Sequence, residues 1–107
     1  WAAATQAKLD YLLECGSEPM YCGFASVRVT PHGEFLKWCK AQEGRAYGSK
    51  HWKTGWCFWD PGNWPTSEQV GFQIYGQSMD VKYAGATAFA KVLKAAGLDA
   101  TVESRAD

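Results

Sequence analysis

At 107 residues, 47% of them hydrophobic and 15% aromatic, the chain is long enough for one compact core and too short for two. Eleven basic side chains balance eleven acidic ones, so no global charge draws it to nucleic acid or to a membrane surface. Its longest apolar runs fall far short of the roughly 18 residues that suggest a spanning helix, and no pattern of charge, apolar run and cleavage site marks a signal peptide.

A single soluble domain over residues 1–107 is therefore expected, with an N-terminal helix at 1–16 and an α+β core at 21–107. The chain starts at Trp1 rather than methionine, which leaves processing or truncation upstream open. Charge is unevenly spread. Arg28, Lys37, Lys40, Arg45, Lys50 and Lys53 face only Glu34 and Glu43 in the middle of the chain, whereas both ends are acidic.

Ala2 to Glu14 is rich in helix formers, with Leu9, Leu12 and Leu13 as an apolar edge and Gly16 as a stop. From Tyr21 to Thr30, Ala25, Val27 and Val29 alternate with Phe24, Ser26 and Arg28. That period of two predicts a strand with two different faces. Thr30 then caps a second helix with Pro31 at its first position; Phe35, Leu36 and Cys39 form its inward side and Gly44 ends it.

Residues 44–55, GRAYGSKHWKTG, hold neither periodicity and read as a loop. Trp56 to Trp59 is short, aromatic and β-prone, DPGNWP at 60–65 is a turn, and Val70, Phe72 and Ile74 alternate with Gly71, Gln73 and Tyr75. These two runs predict a hairpin with a long connection. Ser78 is a good N-cap for a helix that ends at Gly97, because its hydroxyl can accept from an orphaned first-turn amide. Val81, Gly85, Ala88, Phe89, Val92, Leu93 and Ala96 make its apolar face. Small residues Ala84, Gly85, Ala88 and Ala96 let it lie close to a sheet. Ala100, Val102 and Ser104 alternate with Thr101, Glu103 and Arg105 in a last strand.

The order strand, helix, strand, strand, helix, strand predicts a ferredoxin-like βαββαβ fold: a four-stranded antiparallel sheet of order 4-1-3-2 with two crossover helices, plus the extra N-terminal helix. Both crossover helices then lie on one face. The other face stays uncovered unless the N-terminal helix or a partner covers it.

Four cysteines, Cys15, Cys22, Cys39 and Cys57, lack the short C-x-x-C spacing of zinc and redox sites. Buried reduced thiols of a cytoplasmic protein are the favoured reading, with one or two disulfides, or a metal site completed by His32 or His51, as alternatives. GFQIYGQS at 71–78 has the glycine spacing of a phosphate loop, but Gln77 stands where that motif needs lysine. Free amides at the helix start could still hold an anion weakly, although Asp80 opposes it. Catalytic signatures are missing, and a Cys-His nucleophile near His51 rests only on residue types that occur by chance. No catalytic residue, metal or cofactor is expected.

The constellation that points to binding is basic and aromatic: Arg45, Tyr47, Lys50, His51, Trp52 and Lys53 in the loop, with Trp56, Phe58, Trp59 and Trp64 nearby, joined by Phe24, Arg28, Gln73 and Tyr75 where these share the uncovered sheet face. Cations there can reach phosphates and exposed rings can stack on bases. Strand aromatics are more often core, so this signal competes with a structural reading.

CGFA at 22–25, the tryptophan-containing stretch Trp56 to Gly62, and QSMDVKYAGATAFAKVLKAAGLDA followed by ESRAD resemble a family of small uncharacterised proteins encoded by tailed-phage and prophage genomes. The resemblance spans roughly residues 21–107; the N-terminal helix and the insertion from Pro61 to Tyr75 depart from it. It implies a viral origin and a host-cytoplasm setting, and no activity. The expected function is a non-enzymatic module for nucleic acid, with a phage inhibitor of a host protein, such as a defence component, as the alternative. An enzyme of unknown reaction comes third. Oligomeric state is left open.

Overall fold

The computed structural model describes residues 1–30, 32–42, 49–51 and 55–106. Its centre is the strand foreseen around Val27, β1 (Gly23–Thr30), which pairs antiparallel on one side with β3 (Gly55–Trp59) and on the other with β4 (Asp99–Ala106). A three-residue strand, β2 (Ser49–His51), adds to the outer edge of β3, giving the order β2-β3-β1-β4. The helices are α1 (Ala2–Cys15), α2 (Gly33–Gln42), α3 (Ser67–Val70) and α4 (Met79–Ala95).

Pleating sends Ala25, Val27 and Val29 into the core, with Trp56 and Phe58 of β3 and Ala100 of β4 on the same side. Helix α4 covers that side through Ala86, Phe89, Ala90 and Leu93. Helix α2 covers it through Cys39, with Phe35 and Leu36 partly buried, as expected. Phe58 joins the two helices: its ring lies 5.1 Å from Phe89 and 6.1 Å from Trp38. Both crossover helices therefore share one face of the sheet.

Three of the four expected strands are present as β1, β3 and β4. The strand expected at Val70 to Tyr75 is a correction. Thr66 caps α3 with a reciprocal box, its hydroxyl accepting from the Gln69 amide while the Gln69 side chain accepts from the Thr66 amide. Gly71, at φ 81°, stops that turn. β3 instead forms its hairpin with β2, inside the stretch expected to be a loop.

Helix α4 starts at Ser78 as expected, its hydroxyl accepting from the Val81 amide at 3.4 Å. Its buried face is shifted from the expected one. Val92 and Ala96 are exposed and Ala88 is half-buried, while Lys82, Ala86 and Ala90 are buried. Two partners cause this: α4 lies against the sheet and also against α1, so a wider arc is buried. Gly85 faces α1 and not the sheet, because a Cβ there would stand 2.7 Å from Lys8 Cε. On α1 the inward line is Ala4, Lys8 and Leu12, spaced at i, i+4, whereas the expected Leu13 is exposed. No described helix is long and apolar enough to cross a membrane.

Candidate functional site

With α1, α2 and α4 all on one side, the second face of the sheet is uncovered among the described residues. β1 sends Phe24, Ser26 and Arg28 to it, β3 sends Trp59 and Cys57, and β4 sends Arg105, Glu103 and Thr101, by register. Trp59, Ser26 and Glu103 form one row across three strands, and Phe24 and Arg105 form the next. A groove of about 450 Å³ runs over these rows, with Ser26 as its floor.

Trp59 is 57% exposed and Phe24 40%. Large rings left this open are unusual on a strand, since burying one is worth about 1.5–3 kcal/mol. Phe24 is bracketed by cations: Lys82 Nζ lies 5.1 Å and Arg105 Cζ 5.7 Å from its ring centre. Lys82 is anchored by donating to the Gly23 carbonyl at 2.9 Å. Arg28 Nε meets Glu103 Oε2 at 3.2 Å, both side chains being nearly half exposed. Arg105 makes no ion pair among the described residues. Beneath them Cys57 is buried, and burial pushes its thiol up, against the hydrogen bond from Ser26 and the charge of Arg28. A protonated thiol there is not a nucleophile.

The glycine-rich stretch before α4 does hold an anion, and the anion is the protein's own. Glu18, only 6% exposed, accepts the Tyr75 and Gly76 amides on Oε1 and the Gln77 and Ser78 amides, at 2.8 and 3.0 Å, on Oε2. Burial would raise its pKa, but the four amides outweigh that and hold it below the ordinary carboxylate value. Concave runs of successive amides bind anions in this way. With Glu18 seated, those donors are taken, and the stretch works as a clasp between the α1–β1 linker and the start of α4.

A second clasp holds α1. Lys8 is completely buried and its ammonium meets Asp60 Oδ1 at 2.6 Å and the Gly62 carbonyl at 2.9 Å, 5.3 Å from the Trp64 ring centre. Burial lowers its pKa while Asp60 raises it, and burial is the larger effect. Asp60 also accepts from Trp64 Nε1 at 2.8 Å. Every strong donor is satisfied locally, so this buried charge is structural.

Of the expected site residues, Arg28 is on the open face. Tyr75 is exposed but stands in the segment before α4, away from the groove lining, with its amide given to Glu18. Arg45, Tyr47, Trp52 and Lys53 lie outside the described residues. Lys50 and His51 belong to β2, paired by backbone with Trp56 and Gly55. Trp59, expected beside the basic loop, lies on the open sheet face, whereas Glu103 and Arg105 went unrecognised as site residues. Their signal was available: the alternation at 100–105 puts Glu103 and Arg105 on one side of the last strand, and the order 4-1-3-2 lays that strand beside Phe24 and Arg28.

All four cysteines are free, Cys39 and Cys57 buried, Cys22 half-buried and Cys15 exposed. Desolvation pushes Cys39 up to about 11. No cluster of metal-ligating side chains occurs among the described residues. No family model, no curated protein and no solved structure matches this chain.

Proposed function

We propose that this protein is a non-enzymatic binding module that takes single-stranded nucleic acid across its open sheet face. The observation that carries the proposal is the pairing of two exposed rings, Trp59 and Phe24, with Arg28 and Arg105 around one groove. Base faces stack on such rings whatever their sequence, at about 1–3 kcal/mol per base, while cations along the rim meet phosphates. We read the chain order as ferredoxin-like, with β2 reduced to three residues, and that arrangement supports the reading because both helices leave the same sheet face free. RNA-recognition modules of this topology stack bases there. The basic stretch at 45–53, which includes β2 and precedes β3 in sequence, would extend the phosphate track.

The phage resemblance favours a host-cytoplasm setting, where single-stranded intermediates of both nucleic acids occur. It is not needed for the binding argument.

Fluorescence anisotropy with labelled single-stranded DNA and RNA oligonucleotides tests it. Binding should weaken with added salt. Trp59→Ala should lower affinity roughly five- to 150-fold, the range set by one stacked base, with unchanged far-ultraviolet circular dichroism because the ring is mostly exposed. If no oligonucleotide binds at low salt, the proposal fails.

A further inference from the structure

Resting on the single-stranded reading, we infer that the groove selects guanine, through the carboxylate of Glu103. The row Trp59, Ser26, Glu103 crosses β3, β1 and β4, so Trp59 and Glu103 stand two strand spacings apart, about 10 Å. Ser26 between them is small and 4% exposed, leaving a flat floor. A purine lying over Ser26 against the rings of Trp59 and Phe24 fills that width and turns its hydrogen-bonding edge to Glu103.

The chemistry of that edge decides the base. An ionised carboxylate has acceptor sites for about four hydrogen bonds. Arg28 uses one side of Oε2 and holds the carboxylate in place, leaving Oε1 and the remaining lone pairs for a ligand. Guanine presents two neighbouring donors, N1–H and the N2 amino group, in the fork spacing a carboxylate accepts. Adenine and cytosine set a ring-nitrogen acceptor beside their amino donor, and uracil or thymine flanks one donor with two carbonyls. Each of these turns an acceptor toward negative charge, and an unmatched polar contact costs affinity. Glu103 also repels phosphate, so the backbone is steered to Arg105, two residues along β4. The groove thus has a base end and a phosphate end.

The test uses eight-nucleotide single strands of thymidine carrying one central guanine, adenine, cytosine or inosine, measured by anisotropy on the whole protein. Guanine should bind roughly tenfold or more tightly than adenine or cytosine, the scale of one bidentate base contact. Inosine, which keeps N1–H and lacks the amino group, should fall between. Glu103→Gln and Glu103→Ala should both shrink the guanine-to-adenine ratio toward one, a change in preference that a merely structural role would not cause. Equal binding of all four strands, or a guanine preference that survives both substitutions, overturns the guanine inference and leaves the stacking surface standing. Binding of none overturns the surface itself.

Discussion

Glu18 ties the α1–β1 linker to the start of α4. Its carboxylate satisfies four amides that a helix start and its preceding turn would otherwise leave open. Hydrogen bonds to a charged acceptor are worth about 1.5–3 kcal/mol. Glu18→Gln keeps the shape and loses the charge, and it should lower unfolding free energy by roughly 2–3 kcal/mol in urea titration. The pH dependence has a definite sign. The folded pKa lies below the ordinary value of 4.5, so the carboxylate's contribution is fully present above that value. It falls away as pH drops from there through the folded pKa. Wild-type stability should therefore decline more steeply below about pH 4.5 than that of Glu18→Gln, and parallel curves would contradict this account.

At the scale of elements, α1 is docked by a turn that only glycine can make. Gly62 has φ 91°, and a Cβ there would meet the Ala4 backbone at 2.7 Å, so substitution strains the turn and pushes the helix away together. Gly62→Ala should cost roughly 3 kcal/mol, combining overpacking with the positive φ. Thermal denaturation followed by circular dichroism reads it. Trp1 and Lys8 would also report on the helix, since Trp1 Nε1 donates to Asn63 and Lys8 to Gly62.

Elements also show what the amino-acid order reveals. The ends of α1 and α4 were legible because capping is local: Gly16 and Ser78 act within one turn of themselves. β1 and β4 were legible because one face of each meets the core. The alternation of Val70, Phe72 and Ile74 misleads, since it imitates a strand while the Thr66 box and Gly71 make a helical turn. β2 is the reverse case: three residues are too few to show a period, and it exists through pairing with β3. The shifted face of α4 needed knowledge of α1, whose buried Lys8 replaces the apolar residue that patterning anticipates.

For the whole molecule, net neutrality sets how binding should respond to salt. Each phosphate contact on a single strand adds a slope of about −0.7 to log K against log salt. Arg105 alone, with Arg28 occupied by Glu103, predicts a slope of about −0.7. The basic stretch would steepen that by roughly 2 if Arg45, Lys50 and Lys53 all reach phosphates. Two variants separate the contributions: Arg105→Ala should flatten the slope by about 0.7, and Lys50→Ala with Lys53→Ala by about 1.4. If the double variant leaves the slope unchanged while Arg105→Ala flattens it, the sheet face binds alone and the basic middle serves solvation. If only the double variant acts, the cations sit beside the sheet and the rings of Trp59 and Phe24 do the stacking without Arg105. Under the proposed binding, a neutral chain would engage a charged strand through where its charges stand, and the salt slope would count them.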